Sequence, residues 1–124
     1  MISHFNLGTN DLESAEAFYN ELLKFYDAEQ VYKSERTILY SLGDSSAKLA
    51  INTPFDGKPA TPGNGSMVSL AATNREQVDA LHTKALELGG SCEGAPGNRL
   101  DDSLYAAYFR DKDGNKFGVF CRPV

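Results

Sequence analysis

Two histidines and two cysteines are the first side chains of this sequence to weigh as metal ligands, general bases or nucleophiles. They are His4, His82, Cys92 and Cys121. A nucleophilic site needs a thiol or hydroxyl beside a base. A redox or metal motif would need a second cysteine at CxxC spacing, which neither cysteine has. Cys121 lies in an alternating apolar run, where a buried thiol is expected. We therefore predict no catalytic residues of this kind, and a packing role for His82.

A second group of candidates lies on predicted strands, where successive side chains point to opposite faces. In segment 2–8 we expect Phe5 and Leu7 to face a helix, and in segment 66–72 we expect Val68 and Leu70 to do so. The opposite face then carries polar side chains and the rings of later strands, Tyr108 and Phe120. The residues that we predict to bind a small organic ligand are His4, Asn6, Met67, Ser69 and Tyr108. An ordinary solvated sheet face is the alternative.

These two segments belong to an internal duplication. Residues 3–23 align without a gap on residues 66–86, at a constant offset of 63. The identical pairs are Ser3/Ser66, Leu7/Leu70, Glu13/Glu76, Ala17/Ala80 and Leu23/Leu86. Both copies carry a helix-start signal, Asn10 with Glu13 and Thr73 with Glu76. The sequence therefore predicts one strand–helix unit built twice.

The remaining patterns complete two βαβββ modules and an α+β fold. Module one has strand 2–8, helix 11–25 and strands 28–34, 36–42 and 46–53. Module two has strand 66–72, helix 74–88 and strands 91–95, 104–110 and 115–122, the last two joined by the turn DKDGN. We predict a single domain over 1–124, with module one at about 1–54, a Pro- and Gly-rich linker at about 54–65 and module two at about 66–124.

Composition limits the partners. The 124 residues, 41% of them hydrophobic, suffice for one core that both modules share. The net charge of −5 and the lack of a Lys/Arg cluster argue against nucleic acid, which leaves small molecules, including cationic ones. No apolar run is long enough to span a membrane, and the N-terminus does not resemble a signal peptide. We expect a cytoplasmic protein.

The tandem βαβββ plan, the opening SHFNLGTNDLESAEAFY and the closing YAAYFRDKDGNKFGVF resemble the vicinal oxygen chelate (VOC) superfamily. This superfamily includes glyoxalases, bleomycin-resistance proteins, extradiol dioxygenases and fosfomycin-resistance enzymes. The resemblance covers essentially the whole chain, and PFDGKPATPGNG is similar to the linker of a bacterial glyoxalase/bleomycin-resistance-like subgroup. It implies curved mixed sheets with helices on their outer face, a ligand cavity in the paired modules, and a homodimer.

The resemblance also implies positions for the divalent metal of the enzymes. The ligand on the first strand falls on His4, but its counterpart in module two falls on Met67. The glutamate that follows the hairpin turn falls on Gly118, and its equivalent in module one falls on Ala50. Hard or borderline cations prefer imidazole or carboxylate ligands, so we expect no metal and no other cofactor.

Three functions remain open at this stage. The first is a bleomycin-resistance-like protein that binds a small organic ligand without metal. The second is a metal-dependent glyoxalase-like lyase or isomerase that combines His4 with unusual ligands such as Glu93 or Asp101. The third is a non-catalytic interaction module. Loop residues Lys58, Asn64, Arg99 and Asp101 are candidates for the mouth of a cavity.

Overall fold

The computed structural model describes residues 1–122, which form two helices and two four-stranded sheets. The last two positions of the predicted second module, Pro123 and Val124, lie outside the described residues. The elements of the first half are β1 His4–Gly8, α1 Leu12–Leu22, a 3-10 turn Leu23–Tyr26, β2 Ala28–Lys33, β3 Thr37–Leu42 and β4 Lys48–Asn52. Those of the second half are β5 Val68–Ala71, α2 Arg75–Glu87, β6 Ser91–Arg99, β7 Leu104–Arg110 and β8 Lys116–Cys121.

Each half of the chain forms its own mixed sheet. Sheet one has the strand order β1-β4-β3-β2, and sheet two has the corresponding order β5-β8-β7-β6. The first and last strands of each half pair in parallel, and the other neighbours pair antiparallel. The predicted α+β fold of two βαβββ modules is therefore confirmed. The chain divides into compact units at Pro62 and Gly63, inside the predicted linker.

Both helices begin one residue later than the sequence predicted. The N-caps are Asp11 and Asn74, whose side chains accept from the backbone N–H of Ser14 at 3.0 Å and of Gln77 at 2.8 Å. Each cap follows another residue that can cap a helix, so sequence pattern alone could not choose between the two neighbours. The error is the same in both copies, and the offset of 63 between the helix starts is kept.

Strand β6 is longer than the predicted segment 91–95. The strand contains Gly94, Pro96 and Gly97, which are unfavourable in a strand interior, yet it continues to Arg99 with register shifts on either side of Gly94. A proline in a central strand would remove a hydrogen bond of the sheet. Because β6 is an edge strand, Pro96 is tolerated there.

Two tyrosine hydroxyls identify the face that each helix covers. Tyr40 in sheet one donates to Asn20 of α1 at 2.8 Å, and Tyr105 in sheet two donates to Asp79 of α2 at 2.6 Å. Side chains in register with these tyrosines form the two cores. In sheet one they include Ile38, Leu49 and Ile51, and in sheet two Phe109, Phe117 and Val119. The predicted strand alternation is correct in both copies.

Candidate functional site

The face of sheet two opposite α2 carries two aromatic rings. Tyr108 on β7 and Phe120 on β8 contact each other edge to face, with ring centroids 5.6 Å apart and an interplanar angle of 87°. Both are partly exposed. Alternation along β7 places Tyr108 on the face opposite to Tyr105, which binds α2. The rings therefore lie outside the helix-covered core and can be reached by a ligand.

Gly118 lies beneath these rings. It pairs with Tyr108 on one side and with Ser69 on the other. A Cβ added to Gly118 would lie 2.5 Å from Cε2 of Phe120 and 3.2 Å from Cε1 of Tyr108. The ring of Phe120 thus occupies the space that a side chain at position 118 would need.

Three cationic side chains surround the rings. Arg99 and Lys116 approach Tyr108, with Cζ and Nζ at 5.8 Å and 5.4 Å from its centroid, and Cζ of Arg122 lies 5.7 Å from the centroid of Phe120. Arg99 is held in place because it donates to the carbonyls of Ala95 at 2.8 Å and Asn98 at 3.2 Å. We name the set Arg99, Tyr108, Lys116, Phe120 and Arg122 the aromatic–cationic face.

The aromatic–cationic face keeps its positive charge. Within residues 1–122, Arg99, Lys116 and Arg122 form no ion pair with a carboxylate. Glu93, on the neighbouring edge strand, accepts a hydrogen bond from Nε of Arg110. This hydrogen bond, aided by the charges of Arg110 and Lys116, holds the pKa of Glu93 below its ordinary value. Glu93 is thus engaged by Arg110, which weakens its candidacy as a metal ligand.

The corresponding face of sheet one is polar rather than aromatic. His4 pairs with Lys48, and Asn6 pairs with Ala50, on the face opposite α1. The side chain of Asn6 donates to Oδ1 of Asn52 at 2.8 Å, and Nδ1 of His4 lies 3.1 Å from the Ser3 hydroxyl. His4 and Asn6 are both exposed. Sequence reasoning placed these two residues on the correct face of their own sheet.

A family model described as the Glyoxalase/Bleomycin resistance protein/Dioxygenase superfamily matches residues 1–119. The chain belongs to this superfamily. A crystal structure of a glyoxalase/bleomycin resistance protein from Albidiferax ferrireducens T118 is 41% identical, with 99% of each chain covered and a TM-score of 0.88. No curated protein matches the chain.

Two more distant superfamily members share the fold. Lactoylglutathione lyase from Agrobacterium tumefaciens is 22% identical, with 98% of this chain and 92% of that chain covered and a TM-score of 0.71. Fosfomycin resistance protein FosX from Mesorhizobium loti is 20% identical, with 100% and 93% covered and a TM-score of 0.73. At these identities the similarity concerns the fold alone. No helix among the described residues is long and apolar enough to cross a membrane.

Three of the four residues at the positions that the resemblance assigns to a metal, all except His4, do not fit one. Asn6 and Ser69 correspond at the offset of 63, and their register partners are Ala50 and Gly118. Ala50 and Gly118 are therefore equivalent in the two modules, and neither has a side-chain atom that could bind a metal. Met67, which precedes β5, offers only a thioether. Across residues 1–122, no three His, Cys, Asp or Glu side chains cluster closely enough to hold an ion. Any chemistry must therefore be sought in other side chains.

The first unit contains a cavity of about 480 Å³ between the linker and the ends of its strands. Its lining includes Arg36, Phe55 and Lys58, and Cζ of Arg36 lies 5.4 Å from the Phe55 centroid. Of the four predicted mouth residues, Lys58 lines this cavity and Arg99 belongs to the aromatic–cationic face. Asp101 lies in the tight turn after β6, with φ of 54°. The sequence analysis grouped these residues as one cavity mouth, whereas the structure places them in different local environments.

One contact was missed by sequence reasoning. Nε2 of His82 on α2 lies 3.3 Å from Sγ of Cys92 on β6. His82 is 6% exposed, in agreement with the predicted packing role, but its ring also meets a thiol. Burial lowers the pKa of His82, and the nearby Asp79 carboxylate opposes this with a smaller effect. Sequence reasoning weighed the two residues separately, because no pattern fixes how β6 lies against α2.

Proposed function

We propose that this superfamily member binds a small organic anion on the aromatic–cationic face, without a metal ion. The proposal rests on one observation: three cations surround one aromatic pair, and none of the three forms a salt bridge within residues 1–122. A carboxylate or phosphate group would bind the cations, and an apolar or aromatic portion would pack on the rings. The local charge of this face is opposite to the net charge of −5.

Each residue has a distinct role in this proposal. Arg99 provides a fixed fork of donors, because two backbone carbonyls already orient its guanidinium. Lys116 supplies a point charge beside the Tyr108 ring. Gly118 leaves room for Phe120 to lie flat over the strand, and so keeps the ring within reach of a ligand.

The other predicted binding residues extend the proposal. Ser69 is in register with Gly118, beside the rings, and Met67 precedes it. Met67 is 41% exposed, so its thioether is accessible for packing against a ligand. We propose His4 and Asn6 as ligand-contacting residues on sheet one, where both are exposed and neither faces the α1 core.

The test uses a lysine that occurs at equivalent places in both modules. Lys48 on β4 lies two positions before Ala50, and Lys116 on β8 lies two positions before Gly118. Since Ala50 and Gly118 are equivalent, the two lysines are equivalent as well. Lys116→Gln should weaken binding of 2-naphthoate about five- to tenfold, which corresponds to about 1–1.4 kcal/mol and lies just below the usual range for a hydrogen bond to a charged group because Lys116 is partly exposed. Lys48→Gln removes the same charge beside His4 in sheet one, whereas the rings belong to sheet two, so it should weaken binding by a smaller factor than Lys116→Gln does. Isothermal titration with EDTA present measures both.

Equal losses in the two variants would refute the location of the site. A loss of all binding in EDTA, restored by one equivalent of zinc, nickel or manganese per chain, would refute the metal-free proposal. Tyr108→Phe is the conservative control, because it keeps the ring and removes only the hydroxyl. It should bind within about threefold of the unmodified chain if the ring carries the interaction.

A further inference from the structure

The helix-covered side of sheet two brings a thiol and an imidazole together. Cys92 lies on edge strand β6, in register with Phe109, just before the first register shift of that strand. Its Sγ is 3.3 Å from Nε2 of His82. Cys92 is exposed, whereas His82 is 6% exposed. The base is therefore fixed in a packed position while the thiol can be reached from solvent.

The surroundings keep the imidazole able to accept a proton. Burial is the larger effect on His82 and lowers its pKa, which favours the neutral ring with a lone pair available on Nε2. The nearby carboxylate, Asp79, accepts a hydrogen bond from the Tyr105 hydroxyl at 2.6 Å. The Arg75 guanidinium lies 5.0 Å from the Tyr105 ring centroid. A neutral imidazole beside a thiol is the arrangement in which a base assists a nucleophile.

We propose that Cys92 is a base-assisted nucleophilic thiol that adds to soft carbon electrophiles of the α,β-unsaturated carbonyl class. Cys92 supplies the attacking sulfur and His82 accepts its proton. This site lies on the helix side of sheet two, whereas the aromatic–cationic face lies on the other side. The proposal therefore does not depend on the function proposed above.

The addition balances without another reactant. As Sγ forms a bond to the β-carbon of the electrophile, the S–H bond breaks and its proton passes to Nε2 of His82. The π electrons of the C=C bond move toward the carbonyl and leave a carbanion at the α-carbon. The imidazolium then returns the proton to the α-carbon, which yields a thioether and a neutral histidine.

The increase in reaction rate that a base can give this thiol has an upper limit. An ordinary thiol with a pKa of about 8.5 is roughly 3% thiolate at pH 7, so full activation could raise the rate about 30-fold. Since the base is a neutral imidazole that shares the proton only during attack, we expect about a tenfold increase. Cys121 serves as an internal reference, because among the described residues its Sγ hydrogen-bonds only to the Arg122 carbonyl, at 4.0 Å, and to no base.

The experiment measures the rate at which N-ethylmaleimide labels each cysteine in the full chain at pH 7, by peptide mass spectrometry. In His82→Gln, which keeps a polar side chain but cannot take up the proton, Cys92 should react about tenfold more slowly while Cys121 changes less than twofold. An unchanged Cys92 rate would overturn the proposal.

A second measurement does not depend on whether the variant folds. The unmodified chain is labelled both folded and in concentrated urea, where Cys92 becomes an ordinary and fully accessible thiol. The proposal requires the folded Cys92 to react about tenfold faster than the unfolded one, although folding restricts access. An equal or slower rate in the folded chain would overturn it.

Discussion

Gly118→Ala tests whether the Phe120 ring occupies the position of the missing carboxylate. Gly118 is not among the glycines with positive φ, so the substitution causes no backbone strain. The new Cβ would lie 2.5 Å and 2.9 Å from Cε2 and Cζ of Phe120, closer than real Cβ atoms approach. The ring must therefore swing away from the strand.

The expected cost follows from three contributions. Overpacking costs about 1–3 kcal/mol, and losing the edge-to-face pair with Tyr108 accounts for about 0.5–1.5 kcal/mol of it. Alanine in place of glycine in a strand recovers about 0.5–1 kcal/mol. We expect Gly118→Ala to lower the free energy of unfolding by about 1–2 kcal/mol in the unmodified chain. With Phe120→Ala already present, the same change should be neutral or stabilising by about 0.5 kcal/mol, because only the 3.2 Å contact with Tyr108 is left.

Urea unfolding of the four proteins in this double-mutant cycle gives the coupling between positions 118 and 120, which we expect at about 1.5–2 kcal/mol. Ala50 is the matched control, since it is the equivalent position in sheet one and already holds alanine. Ala50→Gly should cost about the same with or without Phe120. If Gly118→Ala destabilised both backgrounds equally, the ring would not fill this space. The superfamily's carboxylate would then be absent for another reason.

Three further predictions concern the hairpin turn, the buried tyrosines and the assembly. Asp111→Ala should lower the free energy of unfolding by about 2–4 kcal/mol, because the buried carboxylate accepts hydrogen bonds from the backbone N–H groups of Asp113 and Asn115 and from the Asn115 side-chain amide. Asp44→Ala, at an exposed position, is the control. Equal losses of stability in the two variants, measured by urea unfolding, would contradict the prediction. Burial raises the pKa of Tyr40 to about 12, and that of Tyr26 to about 12 as well. The neutral form of Tyr40 therefore favours the folded state, with a contribution that is complete below about pH 10 and lost as pH rises toward 12. Ultraviolet titration should show two late phenolates, of which Tyr40→Phe removes one and leaves that of Tyr26, and uniform titration near pH 10 would refute this. We also predict a homodimer, because each sheet has edge strands that need cover; light scattering that gives the monomer mass at moderate concentration would exclude it.

The sequence predicted the parts of the fold that depend on periodicity. The duplication placed His4 and Asn6 in sheet one, and Ser69 in sheet two, on the faces opposite their helices, because alternation along a strand leaves no other choice once Phe5, Leu7 and Leu70 are buried. Helix starts were less certain, since two neighbouring residues in each copy can act as the cap. Sequence periodicity therefore predicts which sheet face each strand residue occupies, whereas the first residue of each helix depends on which side chain makes the capping hydrogen bond.

The functional features that the sequence missed depend on one edge strand. Because the predicted strand ended at residue 95, Arg99 was assigned to a loop at a cavity mouth, whereas β6 continues and brings Arg99 to the Tyr108 ring. The same strand brings Cys92 to His82. Irregular pairing of this kind follows from tertiary packing and has no period that a sequence can display.

The central claim is that this chain binds an organic anion without a metal. The most direct measurement is isothermal titration of the unmodified chain, in EDTA, with two ligands of the same ring and opposite charge, 2-naphthoate and 2-naphthylmethylammonium. The aromatic–cationic face should bind the anion at least tenfold more tightly, because the three cations that flank the rings form no salt bridge within residues 1–122. Equal affinities, or tighter binding of the ammonium ligand, would contradict the account.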